Sequence, residues 1–109
     1  MAEKIKLVQG DTRPYIRATL KDADGTVIDV SGATVNFKFR QAGSLTTLFT
    51  LVCSKPNGGS DGLVVFNFPQ GALNIDPGAY EGELEIVYGA GDVQTVYDIL
   101  KFSVRAQFA

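Results

Sequence analysis

The sequence predicts an all-β fold, an immunoglobulin-like antiparallel β-sandwich of about seven to eight strands. Apolar and polar residues alternate with period two along most of the 109 residues, the pattern of strands with one buried face. No long stretch combines helical apolar spacing with helix caps. Turn residues recur every eight to twelve residues or so, a rhythm that favours a sandwich over a closed barrel. At 45% hydrophobic and 20% charged residues the chain has the composition of a globular protein, and its length fits one domain over 1–109. The cysteine pair and core tryptophan of antibody domains are absent, since the chain has one cysteine and no tryptophan.

The elements follow in order. Ile5 and Leu7 start a first strand, and "QGDTRP" (residues 9–14) then breaks the pattern. Its glycine tolerates positive φ, Asp11 and Thr12 can bond nearby amides, and Pro14 cannot donate to a central ladder. The break therefore predicts a bend or a switch of sheet edge. Beyond it Ile16, Ala18 and Leu20 alternate with Tyr15, Arg17, Thr19 and Lys21. The turn "DADG" leads to a short strand at "TVIDV", residues 26–30. In "TVNFKFR", Val35, Phe37 and Phe39 alternate with Asn36, Lys38 and Arg40, and the two phenylalanines are the clearest core positions. "LTTLFTLVCS" is apolar in both phases, as expected of a strand covered on both sides or beside an irregular loop. "KPNGGSDG" reads as a hairpin loop before "LVVFNF". In "DPGAYEGELEIVY", Tyr80, Leu84, Ile86 and Tyr88 oppose Glu81, Glu83 and Glu85, with Gly82 marking a bulge or close approach. The closing "VQTVYDILKFSVRA" places Val96, Leu100, Phe102 and Val104 together in a long strand interrupted around Asp98.

The chemistry is marked by what is missing. There is no histidine, which removes the usual general base, most zinc sites and every Ser/His or Cys/His nucleophile. No catalytic, cofactor-binding or metal-binding residue is assigned, and the chain reads as a non-enzyme. The glutamate row has strand spacing that permits a glycosidase pair or a cation site. A solvated face balanced by Lys38 and Arg40, or by Lys101 and Arg105, is the preferred reading. Asp22, Asp24 and Asp29 resemble the start of a calcium loop but lack its closing glutamate, and "DADG" suffices as a turn. Ten basic and twelve acidic residues give a net charge of −2, without the basic footprint of a nucleic-acid binder. The N-terminus lacks the apolar stretch of a signal peptide, and the longest aliphatic or aromatic run, "LVVF", is far short of the roughly 20 residues of a membrane helix. The lone Cys53 excludes an intrachain disulfide, fits synthesis in a reducing compartment and sits in a core-like run.

Taken together, "QGDTRP", a leucine-lysine-"DADG" turn, "DVSGATVNFKFR", "DGLVVF", "PGAYEGELEI" and the closing "KFSV" resemble the N-terminal domain of phage baseplate upper proteins, from about Val8 to Val104. The resemblance implies a sandwich that anchors fibres or receptor-binding parts to a phage tail or baseplate, by binding and not by turnover. It places the chain in a virion, in symmetric copies, among other tail, baseplate, neck or fibre proteins. Family members continue into a helical or fibrous region, whereas this sequence stops at Ala109, which leaves two readings: a truncated member, or a small stand-alone virion protein that bridges other tail, neck or capsid components. On the residues themselves, the first strand (Glu3 to Gln9) and the tail (Lys101 to Ala109) are the expected docking segments, with Lys4, Lys6, Lys101, Arg105 and Phe108 as interface residues. A carbohydrate or receptor module using Tyr15, Tyr88 and Tyr97 is the alternative.

Overall fold

Period-two alternation in the two longest strands organises the molecule. In the computed structural model, which describes residues 4–96 and 99–108, the strands are β1 (Ile5–Val8), β2 (Ile16–Thr19), β3 (Ala33–Gln41), β4 (Phe49–Val52), β5 (Leu63–Phe66), β6 (Gly78–Tyr88), β7 (Val93–Thr95) and β8 (Leu100–Arg105). They form an all-β sandwich. The larger sheet runs β1-β8-β6-β3-β4 with β7 also on β6, and β2 and β5 form the smaller one. β3 and β6 pair antiparallel over their length, from Ala33 opposite Tyr88 to Gln41 opposite Tyr80.

The buried phase of each strand is the one the alternation marks. Val35, Phe37 and Phe39 on β3, Tyr80, Leu84 and Ile86 on β6, and Phe102 and Val104 on β8 meet Ile16, Val64 and Phe66 of the small sheet, with Leu20 and Phe68 flanking it. Phe37 stacks on Phe66 across the sandwich at 4.0 Å between ring centres. Phe39 lies parallel to Tyr80 at 5.2 Å, and Phe102 meets Phe39 edge-on at 5.3 Å. Such pairs add about 0.5–1.5 kcal/mol each beyond the area they bury. Gly82 is a close approach: a Cβ there would penetrate the Phe37 ring, so the missing side chain is what lets that ring lie against β6. Tyr80 closes the start of β6 as a tyrosine corner, its hydroxyl donating to the Asp76 carbonyl at 2.6 Å. Burial, and then the Asp76 charge, push its phenol pKa up.

The "QGDTRP" break is the switch between sheets. It carries the chain from β1 in the large sheet to β2 in the small one. The Gly10 amide donates to the Leu73 carbonyl at 3.0 Å, and the Gln9 side-chain amide to that of Ile75 at 2.9 Å. The chain switches sheets again after β4: the Cys53 amide donates to Val35 of β3, and the Ser54 amide to Val65 of β5, both at 2.8 Å.

Two features differ from the sequence-based expectation. The sandwich is not wholly antiparallel, because β1 and β8 pair in parallel. Nearly the whole domain lies between these two strands, which supplies the long connection that parallel pairing needs. Thr26–Val30 is not a strand and makes one bridge, Lys21 with Val27. Its Val30 amide turns instead to the Gly59 carbonyl at 2.9 Å, and the Asp29 carboxylate accepts from the Ser31 amide at 2.9 Å. Of the two readings offered for β4 the second holds: it is an edge strand beside an irregular loop, with Val52 72% exposed. The closing strand is divided as predicted, and its register on β6 slips by two residues between β7 and β8. Tyr97 and Asp98 lie outside the described residues.

Candidate interaction surface

The outer face of the large sheet holds most of the charged side chains that the sequence singles out. Strand register sets them in stripes: Lys38 and Arg40 on β3, Glu81, Glu83 and Glu85 on β6, Lys101 and Arg105 on β8, and Lys6 on β1. Arg40 lies opposite Glu81 and donates Nε to its Oε1 at 3.0 Å. Lys38 lies opposite Glu83 but reaches diagonally to donate to Glu85 Oε2 at 2.9 Å. The preferred reading of the glutamate row as a balanced face therefore holds on the β3 side.

Within this row Glu85 is unsuited to be the proton donor of a glycosidase pair. The Lys38 hydrogen bond, against a smaller opposing effect of burial, holds the Glu85 carboxyl below its ordinary pKa, the wrong direction for a proton donor. The adjoining hollow, lined by Lys38, Arg40, Thr47, Glu81, Gly82, Glu83 and Ile99, has a volume of about 50 Å³. Small-molecule sites occupy roughly 300–1,000 Å³.

Metal donors are equally sparse. Copper, zinc and iron sites draw on imidazole, thiolate or thioether ligands, and the chain has no histidine, one cysteine and one methionine. Cys53 is buried, and burial pushes its thiol up to about 12, so it stays protonated at neutral pH. Among the described residues no three His, Cys, Asp or Glu side chains come together as a ligand set. The aspartates of the calcium-like turn are engaged by their own loop. Asp22 Oδ1 accepts from the amides of Asp24 and Thr26 at 3.2 and 3.0 Å, and Asp24 Oδ1 from the Thr26 amide and hydroxyl at 3.1 and 2.8 Å.

Among the described residues, Tyr15 and Tyr88 do not combine into the aromatic platform of a sugar-binding module. Tyr15 is exposed beside Arg13, whereas Tyr88 is half-buried at the far end of β6 and donates its hydroxyl to Gln94 at 2.8 Å. Tyr97 falls outside the described residues.

The five expected interface residues lie near the two ends of the chain. Lys6, Lys101 and Arg105 share the outer face at the β1–β8 end of the sheet, with Ser103 between them in register with Lys6. Lys4 is exposed one residue before β1. Phe108 is 91% exposed and stacks its ring 5.4 Å from the Arg105 guanidinium carbon. Lys6, Leu7, Val8, Ser103 and Arg105 line one hollow. Both ion pairs among the described residues belong to Lys38 and Arg40, and neither involves this group. Glu3 and Ala109, the outer ends of the expected docking segments, lie outside the described residues.

One residue with a clear task was missed. Lys55, at the start of the glycine-rich loop, donates its ammonium to the carbonyls of Val30 at 3.1 Å and Ala33 at 2.6 Å. It ties that loop to the entry of β3. No local signal marks it, because its acceptors are backbone atoms of a distant segment.

No protein-family model and no curated protein matches the chain. Among solved structures it is similar to CopC from Methylosinus trichosporium OB3b, at 7% identity over 99% of this chain and 89% of that one, with a TM-score of 0.52. It is also similar to the PmoD soluble domain from Methylocystis sp. ATCC 49242 (Rockwell), at 13% identity over 92% of this chain and 77% of that one, with a TM-score of 0.50. These likenesses overturn the resemblance to phage baseplate proteins, and with it the virion location, the symmetric copies in a particle, the tail, baseplate, neck and fibre partners and the role of adaptor within a phage. The resemblance rested on the order and spacing of short pieces, "QGDT" and "GATV" above all, and a switch between sheets and a strand entry supply such pieces in unrelated β-sandwiches too. What the likenesses establish at such identity is the all-β sandwich fold.

Proposed function

We propose that this chain is a non-enzymatic binding module that holds a partner protein at the β1–β8 end of its larger sheet. One observation carries the reading: on a chain of net charge −2, Lys6, Lys101 and Arg105 gather on one face with no ion-pair partner among the described residues. Exposed Phe108 lies beside them. Lys101 does lie opposite Glu81, but that carboxylate bonds Arg40. Cations outside any ion pair, next to an exposed aromatic and a hollow, suit a docking surface, because charge steers the encounter while apolar area holds the complex. The protonated thiol, the glutamate held ionised and the absence of histidine support the non-enzymatic half of the proposal.

The test is a photo-crosslinking phenylalanine analogue placed at position 108 and, separately, at Gly25 in the "DADG" turn, in cells that make the protein. A single defined protein adduct from position 108 and none from position 25 is the expected result. No adduct at 108, or the same adducts from both positions, overturns the docking surface. A turnover that Glu83→Gln abolishes overturns the non-enzymatic half.

A further inference from the structure

The hydrogen-bonding direction of β1 adds a second element to this surface. Among the described residues β1 is the last strand of its sheet, paired only with β8. The Gln9 amide donates to the Arg105 carbonyl at 2.9 Å, and in a parallel ladder alternate residues face the same neighbour. Ile5, Leu7 and Gln9 therefore turn their backbone groups toward β8, and Lys6 and Val8 turn theirs away. The Val8 carbonyl is taken by the Asp11 amide at 3.1 Å, leaving the Lys6 amide and carbonyl and the Val8 amide on the open edge. Lysine on an edge strand discourages indiscriminate strand addition, and it selects among strands by charge.

Resting on the binding-module reading, we propose that the occupant is an extended polypeptide segment in which acidic residues alternate with apolar ones, added as a strand along β1. Its backbone would pair with Lys6 and Val8, as in other cases of strand addition. Its acidic side chains, about 7 Å apart on one face, match the outward Lys6 and the Lys101 and Arg105 side chains one strand further in. Its apolar side chains, on the opposite face, continue the buried phase of Ile5 and Leu7. A polypeptide fits better than a nucleic acid for two reasons. Only a peptide completes the ladder, and a pI near 4.9 disfavours a uniformly charged polyanion.

The experiment selects short random peptides displayed on yeast against the intact protein, followed by binding to the double variant Lys6→Glu/Arg105→Glu. Arg17→Glu, an exposed charge reversal on the small sheet, is the control, and the melting temperature of each variant reports its folding. The expected result is enrichment of alternating acidic and apolar peptides whose binding falls at least about tenfold in the double variant, is unchanged in Arg17→Glu, and weakens with salt. Enriched peptides without acidic residues, or bound equally by the folded double variant, overturn this occupant and leave the binding-module reading standing. If no peptide is enriched and a single-stranded oligonucleotide or phosphatidylserine vesicles bind through Lys6 and Arg105, both this proposal and the protein-partner reading fall. No binding to any of the probes removes this proposal, and the crosslinking result then decides the module reading alone.

Discussion

The two faces of β3, β6 and β8 are built from alternate residues of the same strands, yet they work on different energy scales. Inward, Phe37, Phe39, Tyr80 and Phe102 form one aromatic cluster closed off from water. Outward, one position away, Lys38, Arg40, Glu81, Glu85 and Lys101 lie in charged stripes on the surface. Removing a buried aromatic side chain costs about 3–5 kcal/mol, whereas a surface ion pair contributes about 0.2–1 kcal/mol. The inner face therefore carries stability, and the outer face is free to carry recognition at little cost to folding.

Substitutions of graded effect probe this division. Phe37→Ala, at the centre of the cluster, is expected to cost about 3–5 kcal/mol in urea unfolding. A loss under about 1 kcal/mol would mean that the aromatic cluster is not the stabilising centre. Lys55→Met keeps the aliphatic stem but leaves the Val30 and Ala33 carbonyls without their charged donor. Its expected cost is about 1.5–3 kcal/mol, measured in the same way, and a neutral result would make that brace dispensable.

Gly82→Ala drives a methyl into the Phe37 ring. It should cost about 1–3 kcal/mol, much of which returns when Phe37→Leu is added, and strictly additive losses in that double-mutant cycle would break the close-approach argument. The smallest effect belongs to the outer face, where Glu85→Gln should cost about 0.2–1 kcal/mol at neutral pH. Because the folded Glu85 carboxyl titrates below its ordinary value of 4.5, its contribution is fully present above that value. The difference between wild type and variant should then vanish as pH falls through the lowered folded pKa. A difference that persists well into acid would show that the pair is not electrostatic.

Much of the fold is legible in the sequence, for a local reason. Side-chain direction in a strand is fixed by parity, so the inward set Val35, Phe37, Phe39, Leu84, Ile86, Phe102 and Val104 can be read from spacing alone. Gly82 could be flagged because glycine within a strand is costly unless something approaches it closely. The same locality misled where short motifs were taken as a family signature, since "QGDT" and "GATV" report a switch between sheets and the entry of a strand, and not ancestry. At Thr26–Val30 the pattern of alternating burial is real, with Ile28 and Val30 buried, but the Val30 amide goes to Gly59 of another loop and no ladder forms.

The interface residues show the boundary most clearly. Lys6, Lys101 and Arg105 were separately visible as outward-facing cations near the two ends of the chain. Their convergence depends on β1 pairing with β8 in parallel register, a contact between segments separated by nearly the whole domain. The sequence by itself determined which residues face inward, where the chain turns and which catalytic chemistries lack their groups, because period-two geometry, turn conformations and side-chain pKa values are local properties. Only the tertiary structure decided which strands are neighbours, that β1 and β4 bound the larger sheet, and that Lys55 braces a distant backbone. Those outcomes depend on the sum of many long-range contacts, which no single stretch of sequence encodes.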